Sequence, residues 1–129
     1  MVQFLKNMMS IMILGGLAWH ASSAVDRSLQ AAANLKETFL VSQNMSVILR
    51  SVVVESTLEE KFTVPTDPGL VQRYIRGLMR LSSGGDSSLD PWGTPYRLDL
   101  NGRRLTVGSA GPDKVWNTSD DKYLSGSLN

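Results

Sequence analysis

Three textures follow one another along the chain. A predominantly apolar run from Met8 to Trp19 comes first, preceded by a single positive charge at Lys6 and followed by the small and polar "HASSA". From Val25 onward, apolar residues recur instead at Val25, Leu29, Ala32, Leu35, Phe39, Met45, Leu49 and Val52. That spacing of roughly 3.5 residues is the mark of an amphipathic helix. A helix is expected over residues 25–54, favoured by Ala31, Ala32 and Ala33 and weakened at its end by the β-branched Val52, Val53 and Val54.

The third texture is strand-like, and a connection with a second helix, residues 55–82, leads to it. Asp67 followed by Pro68 reads as an N-cap and first-turn pair, with Leu70, Val71, Tyr74, Ile75, Leu78, Met79 and Leu81 as the apolar stripe behind it. "SSGGDSS" then stops the helix. In "PYRLDLNGRRLTV", Tyr96, Leu98 and Leu100 alternate inward, the chain turns on Asn101 and Gly102, and it returns through Arg103 to Val107. Asn-Gly between alternating runs predicts a hairpin with a type I′ turn. From Gly108 onward the chain reads as mostly loop, anchored by Val115, Trp116, Tyr123 and Leu124. The fold class is therefore α+β, a long N-terminal helix packed on a small antiparallel sheet.

Composition narrows the chemistry. A net charge of +1 argues against a broad electrostatic surface for nucleic acid, and Arg73, Arg76 and Arg80 at helical spacing read as a solvated face. There is no cysteine and one histidine, His20, at the edge of the apolar run. Disulfides, thiolate metal sites and histidine-assisted nucleophiles are thereby removed, and a non-catalytic role is expected. Residues 1–24 have the layout of a signal peptide, with Ser22 and Ala24 suited to a cut before Val25, or of a membrane anchor. The apolar core is shorter than the roughly 20 residues that a spanning helix needs. Either reading places residues 25–129 outside the cytoplasm.

One stretch stands apart. "SAGPDKVWNTSDDKY" gathers Asp113, Asp120 and Asp121, with only Lys114 and Lys122 to balance them. Flexible ammonium groups make a poor lining for a compact ring of oxygens, whereas a hard cation takes six to eight oxygens from carboxylates, carbonyls and water. Asn117, Thr118 and Ser119 add neutral oxygens, although the spacing is not that of an EF-hand. The residues alone leave two readings, a calcium loop and a solvated acidic turn.

"LDPWGTPYRL", the hairpin and "SAGPDKVWNTSDD" together resemble the C-terminal part of the major pseudopilin of bacterial type II secretion and related pilin-like subunits, over about residues 89–123. The resemblance implies a pilin-like domain at 25–129, with the hairpin and a calcium loop at 89–125. It implies Ca2+ held by the carboxylates of Asp113, Asp120 and Asp121 and by backbone carbonyls near Ala110 and Val115. Implied too are partners among other pilin-like subunits, homo- or hetero-oligomeric, and the envelope secretion machinery, at the periplasm or inner membrane. A soluble, exported calcium-binding accessory module with the same head is the alternative. The front of the chain departs from the family pattern. Gln3 rather than glycine precedes Phe4, and neither Asn7 nor Met8 supplies the expected glutamate.

Overall fold

The computed structural model describes residues 2–79 and 85–128, with side-chain environments from residue 22 onward. The element order is α1 (Val2–Leu58), α2 (Pro68–Leu78), β1 (Arg97–Asn101), β2 (Arg104–Ser109) and β3 (Lys122–Ser127). The chain divides into two compact units, residues 1–37 and 38–129.

Helix α1 outruns the expected span of 25–54 at both ends. Upstream, the run of helix-forming Met, Leu and Ala residues continues the helix rather than interrupting it. Downstream, the helix absorbs Ser56 and Thr57, whose hydroxyls donate back to the Val53 carbonyl at 2.8 and 2.9 Å. Among the described residues, no helix is long and apolar enough to cross a membrane. Side chains of the first apolar run, on which the expected signal or anchor depends, lie outside the described residues.

In the second unit, α1 buries Val41, Met45, Ile48 and Val52, a stripe at helical spacing. Against it pack Val71 and Ile75 of α2, and Tyr96, Leu98, Leu105 and Val107 of the sheet region. Helix α2 begins as its sequence predicts, with the Asp67 carboxylate accepting from the amides of Gly69 and Leu70 and with proline in the first turn. It ends at Leu78, short of the expected Leu81, because Met79 is already extended at the C-cap (φ −123°, ψ 119°), its amide donating to the Ile75 carbonyl; Arg80 and Leu81 lie outside the described residues.

The strands form an antiparallel sheet in the order β1-β2-β3. Leu98 faces Val107 and Leu100 faces Leu105 across the first pair, on the side that meets α1. The turn sits one residue later than expected. Asn101 pairs with Arg104 as the last rung, leaving Gly102 and Arg103 as the two-residue loop. Only Gly102 has positive φ there, at 60°, which is the pattern of type II′ rather than I′.

β3 replaces part of the expected C-terminal loop. Its register sets Leu124 opposite Val107 and Gly126 opposite Leu105. A Cβ on Gly126 would come within 3.1 Å of Leu49 on α1, so glycine allows the helix to lie close over this strand.

Candidate functional site

The segment between β2 and β3, residues 110–121, holds all three aspartates. It has almost no ladder of its own. Backbone bonds run only from Lys114 to Gly111 at 3.2 Å and from Asp121 to Thr118 at 3.4 Å. The carboxylates supply the missing acceptors. Asp113 Oδ1 accepts from the Val115 amide at 2.9 Å, and Asp120 Oδ2 accepts from the Asp113 amide at 3.1 Å. Asp121 Oδ2 accepts from the Asn117 amide at 2.8 Å and from the Tyr123 hydroxyl at 2.7 Å.

These bonds explain two unusual backbones. Lys114 and Asn117 have positive φ, 59° and 68°; Lys114 immediately precedes the Val115 amide that Asp113 holds, and Asn117 gives its own amide to Asp121. Gly111, at φ 73°, lies so close to the Asp120 backbone carbonyl that a Cβ would collide with it. The Tyr123 hydroxyl, followed by smaller backbone and Thr118 contributions, holds the Asp121 carboxyl below its usual range. The same bond raises the Tyr123 phenol.

The structure therefore brings Asp113 and Asp120 together through an amide, and turns Asp121 toward Asn117 and Tyr123. Ala110 is fully buried at the start of the segment. Val115 is exposed and its carbonyl accepts from the Thr118 hydroxyl at 3.1 Å. Among the described residues, no three His, Cys, Asp or Glu side chains are gathered closely enough to hold a metal ion. The donor set is nonetheless all oxygen, and each carboxylate offers about four lone-pair positions. The hydrogen bonds described leave some of these open, so the residues suit a hard cation by chemistry.

Trp116, within this segment, anchors it on the sheet as the sequence suggests, whereas the neighbouring Asp90 was passed over by sequence reasoning. Trp116 covers the outer sheet face at Gly108, with the Arg97 guanidinium 4.0 Å above its ring. Asp90 opens a turn that the Gly93 amide closes on its carbonyl at 2.9 Å. It is buried, and accepts from the amides of Trp92 and Thr94 and from the Ser109 hydroxyl. Tyr96, expected to face inward, does so, and burial pushes its phenol up to about 12.

No family model, curated protein or solved structure matches this chain.

Proposed function

We propose that the chain is a non-catalytic, pilin-like subunit similar to the major pseudopilin of type II secretion, acting in protein secretion from the bacterial envelope. Its head, braced by calcium, would face the periplasm, and its helix would pack against other pilin-like subunits. The observation that carries this reading is the apolar surface of α1 ahead of the core stripe. Val25 is 57% exposed, Leu29 64%, Leu35 71% and Phe39 62%. Burial of apolar area is worth roughly 25 cal/mol per Å2, so a run of such residues favours lateral packing.

Calcium is the second element of the proposal. Asp113, Asp120 and Asp121, with the carbonyls of Ala110 and Val115, would hold it. The ion would supply charge that offsets the mutual repulsion of the aspartates, and it would cross-link the segment. It has no catalytic task. The alternative, a soluble exported module, is favoured by the placement of the buried cluster, which lies wholly within residues 41–107 of the second unit.

Two measurements on the full-length chain test the reading. Phe39→Asp should abolish self-association while leaving the melting temperature unchanged, because the ring is exposed. An unaltered oligomer distribution would remove the helix face from the proposal. Melting in calcium should exceed melting in chelator, with magnesium substituting poorly. Ligand binding to the folded form adds about 1.4 kcal/mol at ten times the dissociation constant and about 2.7 at a hundred times. Superimposable curves would leave the aspartates as a metal-free brace. The mass of the mature N-terminus separates the two readings, since a start at Val25 favours the soluble module.

A further inference from the structure

The Asp-Pro-Trp-Gly turn and the aspartate segment meet at one buried hydroxyl. Asp90 is 4% exposed and, among the described residues, has no ion-pair partner. Its Oδ1 accepts from the amides of Trp92 at 3.1 Å and Thr94 at 2.8 Å, and its Oδ2 accepts from the Ser109 hydroxyl at 2.6 Å. Ser109, fully buried, accepts in turn from the Gly111 amide at 3.3 Å. The direction of these bonds is fixed. A carboxylate can only accept, so the single serine proton is committed to Asp90, and only the lone pairs of the hydroxyl remain for Gly111.

Gly111 is the second residue of the segment, and its backbone lies against that of Asp120. Asp120 then holds the Asp113 amide. We infer that Asp90 is a positioning residue for the aspartate segment: acting through Ser109 it fixes Gly111, so that the turn at 90–94 and the segment at 111–121 order and open together. The coupling needs no metal. Its extension, that a cation at Asp113 and Asp120 also tightens the Asp90 turn, rests on the calcium reading above. A buried acceptor left without its donor is costly, which is why opening one side of the serine propagates to the other.

Amide hydrogen exchange on the full-length chain, in chelator and in calcium, tests this. Ser109→Ala in chelator should speed exchange at Gly111 and Asp113 and, with them, at Trp92 and Thr94, by ~10-fold or more, while the β1–β2 ladder stays within about twofold. Asp120→Ala leaves the buried pair intact and should speed the same four amides by a smaller factor. If Ser109→Ala does not fold, Asp120→Ala decides alone. Faster exchange confined to Gly111 and Asp113, or spread evenly over the strands, overturns the coupling. In the unaltered chain, calcium that slows none of these amides overturns the calcium reading and leaves the coupling standing.

Discussion

Two connections join the three strands, and they are held by different means. Between β1 and β2 the chain reverses in Gly102 and Arg103, with a positive φ at the glycine and no carboxylate acceptor in the turn. Between β2 and β3 it travels through residues 110–121, where aspartate side chains accept the amides that no neighbouring strand reaches. A short reversal can be specified by backbone conformation alone, whereas a long one needs acceptors brought in from side chains. The aspartates therefore have a structural task that needs no ion. Each carboxylate replaces a missing carbonyl.

This contrast predicts unequal costs of adding one carbon to each connection. Gly111→Ala should be the most damaging, about 3 kcal/mol, because the new Cβ collides with the Asp120 carbonyl as well as straining a positive φ. Gly102→Ala, with open space around its position, should cost only the left-handed penalty of about 1–2 kcal/mol. Denaturant melts of the two variants compare them directly. Equal losses would erase the distinction between a conformational turn and a side-chain-braced one.

The smallest expected effect is one of pH. The Asp121 carboxyl is held low, chiefly by the Tyr123 hydroxyl, so its contribution to stability is fully present above the ordinary carboxylate value near 3.8. It is lost as pH falls through the depressed folded value. Melting temperatures taken from about pH 6 down to about pH 2 should fall less steeply for Tyr123→Phe than for the unaltered chain. An identical acid limb would show that this bond does not brace the connection.

How much of this was legible in the sequence depends on whether a residue's partner is near in the chain. Asp67 and Pro68 announced α2 because an N-cap acts on amides only a few residues away. The hairpin was equally visible in the alternation of Tyr96 and Leu98, but its turn was placed one residue early. Asn-Gly suggests a pair of central residues, whereas here Asn101 stays in the ladder. β3 was missed because Ser125, Gly126 and Ser127 have weak strand preferences; the reason for Gly126 is Leu49, far away in sequence. The three aspartates were conspicuous, but the amides they hold depend on positive φ at Lys114 and Asn117, which neither residue type announces. Asp90 gave no sign of its burial, since the serine that completes it arrives from β2, 19 residues further along the chain.

The order β1-β2-β3 also has a kinetic side. The first pair closes around two residues, and the second must close around twelve, 110–121. By loop-closure entropy alone the longer closure costs about 1.5 kcal/mol more, so the hairpin can form early and the third strand docks late. A strand that docks after the rate-limiting barrier leaves the speed of folding to the hairpin and the helices, and sets how long the finished sheet survives. Unfolding rates, read from the denaturing limb of a chevron, are where the twelve-residue connection should leave its mark; an effect only on the refolding limb would place its closure early instead.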